Sequence, residues 1–242
     1  MSRILETFKR YELKYMLTRS QAAALRRAMH GHMALDLYGH CTIRNIYYDT
    51  DSFRLVRRSM EKPFYKEKLR VRSYRKAGEK DPVFVELKKK YEGVVYKRRI
   101  ALPHREAVGA LADGTPLPAD TQIAREIEAF RTFYGPTLGP VMLLSYEREA
   151  FAPADGTDFR FTLDENILWR THHIDLGASV FGSPVIPEGA VLLEVKTPGG
   201  IPLWMVRFLS ENGIRQISFS KYGEAYRQLR QNTNTMGGLL YA

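Results

Sequence analysis

The feature that most constrains this chain is the polar face of its period-two segments. The clearest is "VFVELKKKYEGVVYKRRIAL", Val83 to Leu102. As a strand it sends Val83, Val85 and Leu87 one way, and Phe84, Glu86, Lys88 and Lys90 the other. After a turn at Tyr91-Glu92-Gly93 the chain returns through Lys97, Arg98 and Arg99. Like charges facing each other across a hairpin are destabilising. Cations gathered around one carboxylate therefore need a partner from outside the hairpin.

The same alternation recurs along the chain. Leu13 and Tyr15 alternate with Glu12 and Lys14, and Leu69 and Val71 with Lys68, Arg70 and Arg72. Tyr146 shares a parity with Arg148. Phe159, Phe161 and Leu163 oppose Arg160, Thr162 and Asp164, and Leu193 and Val195 oppose Glu194 and Lys196. Seven or eight short, mostly antiparallel strands are expected. Between them, Thr18 with Gln21 forms a capping box. Gly114 stops a short helix, a second runs from near Asp120 to Gly135, and a third has Pro202 in its first turn and Gly213 past its end. A last helix follows Tyr222 through Leu229.

One strand of this kind is an ordinary amphipathic sheet element, core on one side and water on the other. Taken together, the polar faces are dominated by Arg and Lys, with a carboxylate two positions from a lysine at Glu12/Lys14, Glu86/Lys88 and Glu194/Lys196. That pattern predicts an α+β fold: a closed antiparallel β-barrel with a charged lumen and helices packed outside. Two like charges about 4 Å apart repel by roughly 4 kcal/mol at an effective dielectric of about 20, so such a lumen calls for anions. A phosphate chain suits it, since Arg forks bind phosphate oxygens bidentately. The carboxylates are then suited to Mg2+ or Mn2+, oxygen-ligated ions that bridge to phosphate.

Totals bound the rest. The 242 residues carry 37 Lys and Arg against 27 Asp and Glu, a formal charge of +10, which points to an anionic partner. A hydrophobic content of 44% supports a real core, and one domain over residues 1–242 is the simplest organisation. Cys41 is the only cysteine, which excludes an intrachain disulfide framework and a thiolate metal cluster. "MSRILETFKRYELKYML" lacks a signal-peptide core, and no stretch approaches the roughly 20 apolar residues of a membrane span. A cytoplasmic protein is expected. Asp49 and Asp51 in "YYDTDSF" read as turn caps before a short helix rather than a metal pair. His30, His32, His172 and His173 read as loop residues, and no phosphate-cradling G-x-x-x-x-G-K loop is present.

In order along the chain, "RYELKYML", "NIYYDTDSFRL", "KLRVRSY", "VFVELKKK", "YKRRIAL", "LSYEREAF", "FRFTLDENI", "LLEVKTP" and "SFSKYGEAY" resemble the catalytic domain of the vacuolar transporter chaperone complex. That domain is a polyphosphate polymerase of the triphosphate tunnel metalloenzyme superfamily. The resemblance runs from about Phe8 to Tyr226, and the first motif has Arg10 where the wider superfamily often has an acid, as is usual for the polymerase branch.

The resemblance implies a metal-dependent polymerase that moves the gamma-phosphate of ATP onto a growing polyphosphate chain, with Mn2+ or Mg2+ as cofactor. By the same resemblance Lys14, Arg70, Arg72, Lys88, Arg148 and Lys221 are the catalytic cations. Lys97, Arg99, Tyr146, Arg160, Lys196 and Ser220 bind phosphate, and Glu194 and Glu86 are the metal carboxylates. The parity of "VYKRR" leaves Arg98 open in place of Lys97 and Arg99. Nucleoside triphosphate and polyphosphate are the expected partners, not nucleic acid. No phosphate-sensing domain or membrane helix accompanies the motifs, so export would call for a separate membrane partner. A triphosphate or polyphosphate hydrolase on the same scaffold and a non-enzymatic polyanion-binding module are the alternatives.

Overall fold

The computed structural model describes residues 11–92, 94–153 and 155–239. Phe8 and Arg10 of the first motif and Gly93 of the expected turn lie outside the described residues. The chain runs β1 (Tyr11–Leu17), α1 (Arg19–Ala28), β2 (Met33–Thr50), α2 (Arg54–Met60), β3 (Tyr65–Ser73), β4 (Pro82–Tyr91), β5 (Val94–Pro103), α3 (His104–Asp113) and α4 (Gln122–Tyr134). It continues through β6 (Leu138–Pro153), β7 (Arg160–Arg170), β8 (Ser183–Pro184), β9 (Val191–Thr197), α5 (Leu203–Glu211) and α6 (Lys221–Leu239).

Helix ends follow the local chemistry. The Thr18 side chain accepts from the Gln21 N–H and the Gln21 side chain accepts from the Thr18 N–H, so the capping box forms at α1. α3 stops at Gly114, whose φ of 73° is the left-handed conformation that ends helices at low cost for glycine. α4 begins at Gln122, close to the expected Asp120, with the Thr121 side chain accepting the Ala124 N–H. Pro202 is the N-cap of α5 rather than part of its first turn. α6 starts at Lys221 and extends ten residues beyond Leu229, to Leu239.

The strand pairings are antiparallel, and with six α-helices among the described residues the α+β class holds. The expected closed barrel does not. Among the described residues the strand order begins at β1, finishes at β5 and does not return on itself. The physical reason lies in β5, where residues 95–99 are all exposed and three are the cations Lys97, Arg98 and Arg99. Charge on an edge strand discourages further pairing. Period-two alternation sets which face of a strand is buried, but it does not set whether an edge finds a partner.

The chain divides into two compact units, each assembled from separated segments. The first comprises 1–41, 146–166 and 186–219. It holds the ladder β1-β9-β7, whose Tyr15, Leu17, Phe161, Leu163, Leu193 and Val195 form one core with α1 and α5. The second comprises 42–145, 167–185 and 220–242 and holds β2-β3-β4-β5. There Leu69, Val71, Val83, Val85 and Leu87 pack with Ala107 and Leu111 of α3 and Ile127 and Phe130 of α4. In both units the apolar parity lies under helices. The polar parity forms the other face.

Leu87 is fully buried on the helix-covered face of β4. Leu87→Ala is expected to cost about 3 kcal/mol in urea unfolding, a fall of roughly 10 °C in Tm for a chain of this size. A loss under about 1 kcal/mol would mean that this parity does not face the core.

Candidate functional site: two charged sheet faces

The second unit carries a cationic face. β3, β4 and β5 align Arg70 with Glu86 and Glu86 with Arg99 in one cross-strand row, and Lys68 with Lys88 and Lys88 with Lys97 in the next. At the centre is Glu86, only 1% exposed. Arg70 reaches one of its oxygens through Nε at 2.8 Å and Nη2 at 2.6 Å, Arg72 approaches to 3.9 Å, and Lys97 Nζ lies 2.7 Å from the other oxygen. The guanidiniums are held in turn: Arg70 donates to the Tyr47 hydroxyl, and Arg72 to Asn45 Oδ1 at 2.8 Å.

One carboxylate thus meets three cations. The titrations follow. Burial pushes the Glu86 carboxyl up, but Arg70, Arg72 and Lys97 outweigh it and hold it down at about 2. Lys97 is lowered to about 8, because loss of solvation around its ammonium in the cluster, seconded by Arg72 and Arg70, outweighs the attraction of Glu86, even though its side chain keeps 40% of its surface exposed.

The register of the return strand is settled by these contacts. Lys97 is at Glu86, and Arg99 lies in register with Glu86 with its guanidinium 4.8 Å from the Phe84 ring centre. Arg98 points to the opposite face, where it meets Glu126 of α4 at 3.5 Å. Lys88 is half-buried between Lys68 and Lys97 in the register. Ser220 immediately precedes α6, and its hydroxyl accepts from Lys68 at 3.3 Å and from the Gly223 N–H at 3.2 Å. Lys221 is the first residue of that helix.

The first unit carries a mixed face. Rows pair Lys14 with Glu194 and Glu194 with Thr162, then Glu12 with Lys196 and Lys196 with Arg160. Lys14 Nζ lies 3.1 Å from Glu12 and 3.4 Å from Glu194, and donates to the Phe219 carbonyl at 2.9 Å. Arg148 forms a two-pronged pair with buried Asp164 at 2.6 and 2.7 Å and also reaches Glu194 at 3.1 Å. Its guanidinium lies 5.1 Å from the centre of the buried Tyr146 ring. Burial and Arg148 lower the half-buried Lys196. Arg160 is exposed, with Asp158 at 3.9 Å.

The two faces differ in what they can hold. Glu12, Asp164 and Glu194 offset Lys14, Arg148 and Lys196, so the first unit's face is balanced in charge. Among the described residues no three His, Cys, Asp or Glu side chains stand together as a metal cage. Glu194 is the carboxylate of this face that would hold a divalent, oxygen-ligated ion of the Mg2+ kind. Glu86 fits that part poorly, because three cations already engage it.

Several participants escaped sequence reasoning. Asp164 shares the parity of Arg160 and Thr162, a signal that was available, but its pairing with Arg148 is long-range. Tyr47 and Asn45 lie on a strand whose residues 43–50 are all buried, which masks the alternation. Asp49 does cap α2, accepting from the Leu55 and Val56 N–H groups at 2.8 and 2.9 Å, and it also accepts from the Tyr222 hydroxyl at 2.9 Å. Asp51 accepts from Ser52 in an exposed turn, and His30, His32, His172 and His173 are exposed.

One solved structure agrees with this fold, and a second is similar at a lower score. A Bacillus halodurans protein described as a candidate adenylate cyclase superimposes with a TM-score of 0.55 at 18% identity, over 88% of this chain and 95% of its own. A candidate adenylyl cyclase from Hippeastrum, reported to have a dominant triphosphatase activity, gives 0.49 at 17% identity, over 87% of this chain and 92% of its own. At such identities the likeness concerns the fold alone. No curated protein matches the sequence. The family profile described as VTC domain matches residues 9–230, a span that takes in both charged faces and all the residues named on them, and the chain belongs to the VTC domain family.

Proposed function

We propose that this protein is a metal-dependent polyphosphate polymerase that transfers the gamma-phosphate of ATP to a growing polyphosphate chain. The observation that carries the reading is the gathering of Arg70, Arg72 and Lys97 around Glu86 on one sheet face, an arrangement suited to a polyanion. Membership of the VTC domain family supports phosphate as that polyanion. Phosphoryl transfer asks little covalent chemistry of the protein, so positioning and charge neutralisation dominate.

In this reading Arg70, Arg72, Lys88, Lys97 and Arg99 hold phosphate oxygens on the second unit, with Ser220 and Lys221 at the start of α6. On the first unit Lys14, Arg148, Arg160 and Lys196 bind phosphate, and Tyr146 supports Arg148 from below its guanidinium. Glu194, rather than Glu86, holds Mn2+ or Mg2+. A divalent ion held there would supply positive charge to offset that of the phosphate groups. Glu86 orders the cations around it in the absence of substrate. The accepting phosphate oxygen is already ionised, so no general base is required.

Incubation with ATP and Mn2+, followed by separation of long-chain phosphate from free phosphate, tests the reaction. Long chains are expected; free phosphate alone would assign a hydrolase, and neither product with intact binding would leave a polyanion-binding module. Glu194→Gln should lower turnover on the order of 100-fold while retaining metal-free binding of tripolyphosphate. Full turnover in that variant would contradict the role of Glu194. Glu86→Gln leaves the cations uncompensated and should cost about 3 kcal/mol of stability, with saturating tripolyphosphate restoring more Tm to the variant than to the wild type. An unchanged Tm would show that Glu86 does not organise the cluster.

A further inference from the structure

We propose that Lys68 is a phosphate-contacting residue, the third member of a lysine row with Lys88 and Lys97 that favours condensed phosphates of three or more units. This deepens the phosphate-binding reading above and rests on it.

The row follows from strand register. Lys68 is directly opposite Lys88, and Lys88 directly opposite Lys97. Neighbouring strands lie about 4.8 Å apart, so three lysine stems span about 10 Å. The adjacent row interposes the carboxylate of Glu86 between Arg70 and Arg99. The three register positions of the lysine row are all basic, with Lys97 tied to Glu86 of the adjacent row at 2.7 Å. A linear polyanion lying along the row meets all three ammonium groups, which a single phosphate does not.

The site of the Lys68 ammonium is also built. It lies 3.3 Å from the Ser220 hydroxyl and 5.9 Å from the centre of the Tyr222 ring. Ser220 is fixed as the cap of α6, since its hydroxyl accepts from Gly223 and its carbonyl from the Glu224 N–H. Tyr222 is fixed by its hydrogen bond to fully buried Asp49 and by stacking on Tyr47, with ring centres 4.3 Å apart. Asp49 is itself tied to the first turn of α2. The lysine therefore loses rotamer freedom before a ligand arrives, and a phosphate that accepts from its ammonium also meets the Ser220 hydroxyl as a donor. Preorganisation of this kind favours affinity.

Metal-free calorimetry with tripolyphosphate and pyrophosphate, on wild type, Lys68→Met, Lys68→Arg and Arg70→Ala, tests the assignment. Lys68→Met should weaken tripolyphosphate binding about 10-fold and pyrophosphate binding less, and Lys68→Arg should restore most of the loss. Wild-type affinity in Lys68→Met beside a loss in Arg70→Ala would overturn the role of Lys68 alone. Wild-type affinity in both would overturn the phosphate reading itself. Acetylation of the unmodified protein provides a second readout that needs no folded variant. Protection of Lys68 by tripolyphosphate supports the proposal, and equal labelling with and without it contradicts it.

Discussion

The ion cluster at Glu86 is the constraint on which the second unit's charged face depends. Three cations within 4 Å of one buried carboxylate would repel one another without it. With it, they are held in place. A buried ion pair is seldom a net source of stability, because desolvation offsets much of its attraction. Here the arrangement keeps guanidinium and ammonium groups oriented.

The contrast between the units sharpens that account. The first unit distributes its charges in alternation, with Lys14 facing Glu194 and Glu12 facing Lys196. Arg148 joins two carboxylates, Asp164 and Glu194, and shares Glu194 with Lys14. Neighbourhood rather than identity separates Glu194 from Glu86, although both stand in an E-x-K motif.

Much of this was legible in the sequence. Period two placed Leu69, Val71, Val85 and Leu87 under helices and Arg70, Glu86 and Lys88 on the other face. Thr18 with Gln21 and Gly114 marked helix ends through local hydrogen bonding and backbone freedom. What escaped was set by distant partners. The choice between Lys97 and Arg98 depended on Glu126 in α4 taking the latter. Asp164 became part of a cluster only through Arg148, and the Asp49–Tyr222 bond joins residues far apart in the chain. The state of the β5 edge depends on whether another strand competes for it, which alternation does not encode.

Proton uptake on ligand binding tests the central claim most directly. Free Lys97 titrates at about 8, so above that pH it is mostly neutral in the unliganded protein. An arriving polyanion favours the charged form and raises that value. Calorimetric titration of tripolyphosphate near pH 8.5, in buffers of different ionisation enthalpy, measures the protons exchanged. The account predicts uptake of a fraction of a proton by the wild type beyond that of Lys97→Arg, whose guanidinium stays charged and which controls for protons bound by the ligand itself. Equal exchange in the two proteins would contradict it.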